Sequence, residues 1–367
     1  MVSFSFIFRL FYRFLMFLAT NIYTVPSYFT WFFFLQPLRF LAPELFWKVD
    51  AVLFKGLLSM IITWHYTGGY RVIEAGDNIC SLEEKEAIFI ANHQTTSDTT
   101  LLMTALGSRG LVSGRVLWVM DHMFKYTNFG WISQVRGDFF IAQGKDTRQA
   151  QLVAFKDHLV NIYLTRFRKW IVLFPEGGFL RNRLEASQKF AKKHGYPVLN
   201  HCTLPRLGAI KVILDTLAED TNNPDTNNKG EKESHKRPLK WLIDVTIGYP
   251  PGGALSAHGV ALQWYPPTDT ILHYRAYPTI DIPKDTEGLT AWLYERYTEK
   301  DQMLENYYKN GSLEDTTESP KRVLPLGRTG VLDVDVIQII MFHIFYLVSS
   351  YIHYVYLLRP LLSFLGL

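Results

Sequence analysis

The chain is apolar at both ends, with short apolar segments alternating with polar stretches between them. Residues 336–358 form an apolar run without Asp, Glu, Lys or Arg. A helix that crosses a bilayer needs about 20 such residues. Two histidines in the run, His343 and His353, and its tyrosines also fit an interfacial or re-entrant helix. We predict a C-terminal transmembrane helix over 336–358, after a linker at 309–335.

The N-terminal segment, residues 1–47, is also apolar but contains arginines and prolines. Arg9 and Arg13 are four residues apart, so they share one helix face and predict an interfacial helix whose arginine side chains reach lipid headgroups. A spanning helix over residues 14–36, kinked at Pro26, follows it. A cleaved signal peptide is the alternative. Against it, no small-residue cleavage site follows the apolar region, and the hydrophobicity continues beyond a normal signal core.

Between the two ends, the apolar segments have the length of strands. They are AIFIAN, RVLWVM, DFFIA, KWIVLFP, TLPRLGA and WLIDVTIGY. Several are continuous apolar runs, typical of strands in a sheet covered on both faces. Helical patterns occupy residues 98–106, 148–164 and 188–194.

This alternation predicts a single α/β domain over residues 48–308, with a largely parallel sheet covered by helices. Residues 51–70 have helical spacing and contain Lys55, which favours an amphipathic core helix of this domain. Residues 219–237 are polar and rich in Asn, and they predict an exposed loop. The domain is therefore expected to be flanked by N-terminal and C-terminal membrane helices.

Composition supports a membrane protein and excludes some other classes. Aromatic residues make up 15% of the chain and concentrate at its ends, which indicates contact with lipid. The net charge is only +4, with basic residues scattered, so no nucleic-acid partner is predicted. Cys80 and Cys202 cannot build a disulfide framework, and they favour a reducing compartment. No zinc-like spacing occurs, and no metal site is predicted.

Candidate chemistry begins where the first apolar strand ends, at the stretch NHQTTSD. His93 and Asp98 are five residues apart, which on one continuous helix places them roughly 140° apart. They meet only if His93 precedes the helix and Asp98 lies in its first turn. The residues between them include favourable N-cap residues, Thr95, Thr96 and Ser97.

In that arrangement Asp98 orients the His93 imidazole and stabilises its protonated form, which makes His93 a general base without a covalent nucleophile. The alternative is a core or capping histidine, and further segments bear on this choice. LFPEGGFLRNR, residues 173–183, combines a tight glycine turn with arginines that can bind phosphate. Lys125 and Arg136 bracket an aromatic segment, and TLPRLGA follows later.

Taken in order, His93-x4-Asp98, GDFFI, FPEG and LPRLGA resemble the four motifs of the glycerolipid acyltransferase family, which includes lysophosphatidate acyltransferase. The aromatic context is similar to the branch that acylates lysophosphatidylglycerol or lysophosphatidylethanolamine. The likeness covers most of the chain. It implies a membrane enzyme that transfers an acyl group from acyl-CoA, its co-substrate, to a lysophospholipid, without cofactor or metal. Lysophosphatidate and monoacylglycerol remain alternative acceptors. Because acyl-CoA is cytosolic, the site is expected to face the cytosol at the endoplasmic reticulum membrane.

The resemblance also implies a role for each motif residue. His93 deprotonates a glycerol hydroxyl, and Asp98 orients His93 and stabilises its charge. Pro205 belongs to the motif associated with the acyl donor. The acceptor and its phosphate are assigned to Phe174, Pro175, Glu176, Gly177, Arg181, Arg136 and Lys125.

The sequence departs from the family pattern at two phosphate-binding positions. The family commonly has an arginine soon after the second motif, where this chain has Gln143. It also commonly reads Phe-Pro-Glu-Gly-Thr-Arg, whereas Gly178-Phe179 follows here and the nearest arginine is Arg181. Arg136 or Arg148 are candidate replacements. These departures favour an acceptor larger than lysophosphatidate.

Other classes of protein find less support in the sequence. A serine hydrolase would need a Gly-x-Ser-x-Gly elbow, and the chain has none. No glycine motif for dinucleotide or ATP binding is present. A catalytically silent lipid-binding protein of the same fold is a further alternative, but such a protein has no reason to keep both His93 and Asp98.

Overall fold

The computed structural model describes residues 4–142, 144, 147–218, 237–250, 253–311, 313 and 323–366. The predicted loop at 219–237 therefore lies almost wholly outside the described residues, as does Gln143. The strands of the described part are β1 Arg71–Gly76, β2 Ala87–Ala91, β3 Val116–Asp121, β4 Phe139–Ile141, β5 Trp170–Leu173, β6 Trp241–Gly248, β7 Asp269–Pro278 and β8 Gly330–Val331.

Helices precede, connect and follow these strands. They are α1 Phe4–Phe34, α2 Gln36–Leu41, α3 Pro43–Gly68, α4 Ser97–Gly107, α5 Asn128–Arg136, α6 Arg148–His158, α7 Leu180–His194, α8 Leu207–Leu217, α9 Ala257–Ala261, α10 Thr286–Asn310, α11 Val336–His353 and α12 Arg359–Leu365. Short 3-10 turns occupy Ile79–Leu82, Leu111–Arg115, His122–Tyr126 and Thr279–Asp281, and π turns follow α6 and α11 at Leu159–Leu164 and Tyr354–Leu358.

The strands form one mixed sheet in the order β4-β3-β5-β2-β6-β7-β1-β8. The first five of these strands are parallel, as are β7 and β1, whereas β6 pairs with β7 and β1 with β8 in antiparallel fashion. The prediction of a largely parallel sheet is confirmed. Because β2 lies between β5 and β6, the loops that follow these three strands emerge side by side at one edge of the sheet.

Each face of the sheet supports its own apolar core, because side chains alternate along every strand. On β2, Phe89 packs on one side with α3, α4, and residues of α1 and α11. Ile88 and Ile90 pack on the other side with α6, α8 and α10. The helices at the two ends of the chain thus lie on the first face, and the helices that follow β4 and β5 cover the second.

Five of the six predicted strands are present, and TLPRLGA is not one of them. The residues before Leu207 are irregular, and α8 starts there. Its buried positions repeat at helical spacing: Ile210, Ile213, Leu214 and Leu217. Three strands, β1, β7 and β8, were not predicted. β7 carries polar His273 and Arg275 in a buried stretch, which hides its apolar pattern.

Helix α3 confirms the predicted core helix at 51–70 and extends it toward the N-terminus. It begins at Pro43 and ends at Gly68, and the following residue, Gly69, closes the helix in the left-handed conformation with a φ of 74°. Most of its length from Asp50 onward is buried, in keeping with a helix at the centre of the structure.

The terminal helices are long and apolar enough to cross a membrane, judged by length and composition. Among the described residues, Phe4–Phe34 and Val336–Leu365 meet this test. At the N-terminus, where an interfacial helix and a separate span over 14–36 were predicted, one continuous helix, α1, covers Phe4–Phe34 and contains Pro26.

The predicted role of Arg13 is wrong. Its guanidinium is buried and donates to the carbonyl oxygens of Ala261 at 3.0 Å and Trp64 at 2.7 Å. It therefore fastens α1 to α3 and α9 instead of reaching headgroups. Arg9 remains exposed.

Polar side chains on α11 find partners on α1 and α3. His343 bonds through Nδ1 to the Tyr23 hydroxyl at 2.6 Å and through Nε2 to Thr63 Oγ1 at 2.7 Å. Tyr346 donates to the Leu53 carbonyl at 2.5 Å. Polar groups inside an apolar medium need such partners. His343 is therefore compatible with a helix packed among other apolar helices.

A buried ion pair connects these helices to the sheet domain. Asp50 of α3 and Arg136 of α5 pair while both are fully buried. The Tyr28 hydroxyl of α1 donates to Asp50 at 2.6 Å, and Arg136 donates to the Gly114 carbonyl at 2.5 Å. A side chain at Gly114 would collide with the backbone of Ala51, so only glycine allows this close approach. Arg136, which was predicted to bind phosphate, is thus held by protein groups in this buried pair.

Replacing Asp50 with Ala would leave the buried Arg136 guanidinium without its ion-pair partner. We expect Asp50→Ala to lower the free energy of unfolding by about 3 to 5 kcal/mol. Urea titration of the detergent-solubilised protein measures this change. The matched control is Lys48→Ala, which removes an exposed helix pair with Glu44 and should leave the unfolding curve unchanged. Equal stability of the two variants would contradict the structural role of the buried pair.

Candidate active site

The side chains of His93 and Asp98 meet at the carboxyl end of β2, as their spacing predicted. His93 lies in the irregular segment after β2, and Asp98 lies in the first turn of α4. Asp98 Oδ2 accepts a hydrogen bond from His93 Nδ1 at 2.8 Å. The same oxygen accepts from the backbone amides of Gln94 at 2.6 Å and Thr95 at 2.9 Å. The aspartate therefore shapes the turn as well as holding the imidazole.

This turn differs from the prediction in its cap. Thr96 is the N-cap residue of α4, but its hydroxyl makes no capping bond to the helix. It accepts instead from the Ala257 amide at 3.1 Å. Asp98 instead binds the amides of Gln94 and Thr95, which lie just before the helix.

The second oxygen of Asp98 accepts from the Tyr249 hydroxyl at 2.6 Å. Both side chains are fully buried. Burial, and next the negative charge of Asp98, raise the pKa of Tyr249 well above its usual value, so the phenol stays a neutral donor. Tyr249, which directly follows β6 and lies 151 residues beyond Asp98, was not predicted from the sequence.

Two aromatic rings hold the His93 imidazole on its faces. Phe174 stacks on it with ring centroids 4.0 Å apart and an interplanar angle of 18°, and Phe179 lies at 4.5 Å and 51°. The His93 side chain is 12% exposed. Within the described part of the chain, its Nε2 atom has no hydrogen-bond partner. Nδ1 thus donates to Asp98, and Nε2 remains available to accept a proton.

Glu176 of the FPEGG turn lies behind His93 and is 1% exposed. Its Oε1 accepts from the His93 amide at 2.8 Å, and its Oε2 accepts from the Thr203 amide and hydroxyl, both at 2.8 Å. Burial raises the pKa of Glu176 to about 8, against the opposing effect of these donors. Since protein groups occupy both oxygens, Glu176 is placed to position His93 and Thr203.

The other residues of the FPEG and LPRLGA motifs lie together around this carboxyl. The Pro175 carbonyl accepts from the Arg206 amide at 2.8 Å, which joins the two motifs. Gly177, with a φ of 68°, lies against the Arg206 guanidinium. Pro205 is buried next to Thr203.

The three basic residues predicted to contact phosphate lie in three different surroundings. Arg136 is in the buried ion pair described above. Lys125 lies in the 3-10 turn after β3, with its Nζ 5.5 Å from the centre of the Phe140 ring. Arg181 is exposed in the first turn of α7. In the described residues, neither Lys125 nor Arg181 bonds to His93, Asp98 or the FPEGG turn.

Other arginines lie beside the FPEGG turn instead. Arg148, Arg183 and Arg206 line a cavity of about 370 Å³ that is also bounded by Thr203 and Pro205. Of these, Arg148 was predicted as a candidate replacement phosphate ligand, and Arg206 was not predicted. No cluster of three or more His, Cys, Asp or Glu side chains in the described ranges could hold a metal ion.

Comparison with known families shows the class of this protein. Residues 72–215 match the acyltransferase family model, and residues 262–329 match the acyltransferase C-terminus model. The first match contains both His93 and Glu176. The protein is therefore an acyltransferase, and the chain belongs to the glycerolipid acyltransferase family.

Three proteins with names of their own are similar to this chain. The chain is 45% identical to human acyl-CoA:lysophosphatidylglycerol acyltransferase 1, over 82% of each sequence. It is 31% identical to a putative 1-acyl-sn-glycerol-3-phosphate acyltransferase of Caenorhabditis elegans, over 80% of this chain and 72% of that one. The crystal structure of the LPA acyltransferase PlsC from Thermotoga maritima covers 80% of this chain and 98% of its own, with 14% identity and a TM-score of 0.40. That structural likeness is too distant to support details of the site.

The raised pKa of Glu176 predicts how stability changes with pH. The folded state keeps the proton up to about pH 8, whereas the unfolded state loses it near the ordinary glutamate value of 4.5. The stabilising contribution of the neutral acid is thus complete at low pH and is lost as pH rises through this window. We expect wild type to lose about 1 kcal/mol per pH unit between pH 5 and 8 relative to Glu176→Gln.

Urea titrations of the two proteins at several pH values measure the slope. Comparing slopes cancels any constant cost of the glutamine amide. The exposed variant Glu185→Gln serves as the control and should follow wild type. Parallel pH profiles for wild type and Glu176→Gln would show that Glu176 is ionised throughout.

Proposed function

We propose that this acyltransferase transfers a fatty acyl group from acyl-CoA to a glycerol hydroxyl of a lysophospholipid, either lysophosphatidylglycerol or lysophosphatidylethanolamine. The observation that carries the proposal is the His93–Asp98 pair, with Nδ1 bound and Nε2 without a protein partner. The 45% identical human relative is named for lysophosphatidylglycerol, which supports this acceptor class. Acyl-CoA is the co-substrate, and the reaction as proposed uses no cofactor or metal.

In the proposed reaction, His93 Nε2 removes the proton from the acceptor hydroxyl. The oxygen attacks the thioester carbonyl carbon and forms a tetrahedral intermediate. As this intermediate collapses, the carbon–sulfur bond breaks and the CoA thiolate takes the proton from His93. The products are the diacyl lipid and free CoA, and no acyl-enzyme forms.

The surroundings of His93 suit a base that becomes charged during the reaction. Asp98 is buried and lies 2.8 Å from Nδ1, so it stabilises the imidazolium. The stacked faces of Phe174 and Phe179 add a favourable cation–π interaction. Glu176 holds the His93 backbone, so the ring keeps one orientation.

The terminal helices support access of a membrane lipid. Helices α1 and α11 expose large apolar side chains and pack against α3, which also contacts α4, the helix that carries Asp98. A lysophospholipid lying in the bilayer would therefore reach the site on the face of the sheet that carries these helices. We place the enzyme in the endoplasmic reticulum membrane with its site toward the cytosol, where acyl-CoA is found.

Transferase activity can be tested in microsomes that express wild type or His93→Ala. They receive labelled stearoyl-CoA and a panel of lysophospholipids and monoacylglycerol, and mass spectrometry identifies the products. We expect wild type to acylate lysophosphatidylglycerol or lysophosphatidylethanolamine, and His93→Ala to be slower by about 10³-fold. His194→Ala, an exposed histidine on α7, is the control and should retain activity.

If only lysophosphatidate or monoacylglycerol is acylated, that lipid is the acceptor, and the acceptor named in this proposal is wrong. Full activity in His93→Ala would show that His93 is not the general base. No product from folded wild-type protein would favour a lipid-binding role without catalysis.

The variant Asp98→Asn removes the negative charge of Asp98 and keeps the size and shape of the side chain. The asparagine oxygen can still accept from His93, Gln94 and Thr95, and its amide can donate to Tyr249, whose hydroxyl then accepts. We therefore expect an unchanged thermal unfolding curve but a kcat lower by about 10³- to 10⁴-fold, because the imidazolium loses its counter-charge. Steady-state kinetics in detergent measure this. A kcat within about tenfold of wild type would show that the carboxylate charge contributes little.

A further inference from the structure

The cavity lined by Arg148, Arg183 and Arg206 opens on the face of the sheet opposite the terminal helices. Its walls come from α6, α7, the segment before α8, and α10. These elements pack on the core that contains Ile88 and Ile90, whereas α1, α3 and α11 contribute to the other core. A ligand therefore enters this cavity from water and not from the bilayer.

The charge of the cavity is positive and unbalanced. Its three arginines come from three different elements: the start of α6, the first turns of α7, and the residue before α8. No Asp or Glu lines the cavity, and none of the three arginines has an ion-pair partner among the described residues. Burial, and then the charges of Arg183 and Arg148, lower the pKa of Arg206, so the three guanidinium groups repel one another. Anionic oxygens would relieve this repulsion.

The cavity also offers aromatic surface and enough room for a nucleotide-sized group. Phe190, 45% exposed, and Tyr294 contribute to its lining. Aromatic faces of this kind stack on nucleobases. The volume of about 370 Å³ falls within the usual range for small-molecule sites.

The cavity adjoins the catalytic residues through the FPEGG turn. Thr203 lines it and donates to Glu176, which also accepts from the His93 amide. Arg206 lies against Gly177, and Arg183 lies against Gly178, where an added Cβ would come within 3.2 Å of the arginine. A ligand with its anionic end in the cavity must therefore extend past the turn to bring a reactive group to His93.

We propose that Arg148, Arg183 and Arg206 bind the phosphorylated adenosine end of acyl-CoA. This inference rests on the proposed use of acyl-CoA as donor. CoA carries three phosphate groups and an adenine at one end and its thioester at the other, separated by a flexible arm, which matches the charge, the aromatic lining and the separation from His93. A lysophosphatidylglycerol headgroup has a single phosphodiester charge and resides in the bilayer.

Steady-state kinetics on the purified full-length protein test the assignment. We expect each of Arg148→Gln, Arg183→Gln and Arg206→Gln to raise the KM for stearoyl-CoA by about tenfold. The kcat and the KM for the lysophospholipid should stay within about twofold of wild type. Wild type should also prefer stearoyl-CoA to its 3′-dephospho form, and this preference should fall in at least one variant. Lys193→Gln removes an exposed charge from α7 outside the cavity and is the matched control.

A rise in the KM for the lysophospholipid instead would assign the arginines to the acceptor and overturn the proposal. Unchanged KM values for both substrates would also overturn it. Calorimetric titration with free CoA provides a readout that does not need activity. Binding by wild type that is weakened in the arginine variants but not in Lys193→Gln supports the site even if no acceptor is turned over. Absence of CoA binding by wild type rejects it.

Discussion

Glu176 accepts hydrogen bonds from the backbone of His93 and from both donors of Thr203, and so joins the loop after β2, the turn after β5 and the segment before α8. These segments have few regular hydrogen bonds of their own, so a buried carboxyl that satisfies three donors substitutes for secondary structure. On one side of this link is the imidazole of His93. On the other is the arginine-lined cavity. Both proposed substrate regions therefore depend on this one side chain.

Buried polar groups also connect the apolar helices to the sheet domain. Arg13 binds carbonyl groups of α3 and α9, and Asp50 pairs with Arg136 where α3 meets α5. Each removal would leave an uncompensated buried polar group, which is costly away from water. The terminal helices are consequently joined to the sheet by specific contacts. This fixes which face of the sheet carries the apolar helices and which face carries the open cavity.

The arginines show which side-chain positions the sequence pattern can predict and which it cannot. Arg181 and Arg183 are two residues apart and look equivalent in the sequence, but on a helix such positions point about 200° apart. Arg183 lines the cavity and Arg181 does not. Arg136 follows an aromatic segment that suggested a ligand site, yet its counter-charge, Asp50, lies 86 residues earlier. Arg206 lies in the segment TLPRLGA, which was predicted as a strand. Its position directly before α8 was therefore not predicted.

The sequence by itself determined the features that depend on near neighbours. A strand, a polar turn and a helix bring His93 to Asp98 because only five residues separate them, and continuous apolar runs specify buried parallel strands and terminal helices. The tertiary structure alone decided the second partner of Asp98, the burial of Glu176, and the grouping of Arg148, Arg183 and Arg206. Tyr249 reaches Asp98 across 151 residues because β6 lies beside β2 in the sheet. Strand order is set by packing of the whole domain, and no local pattern encodes it.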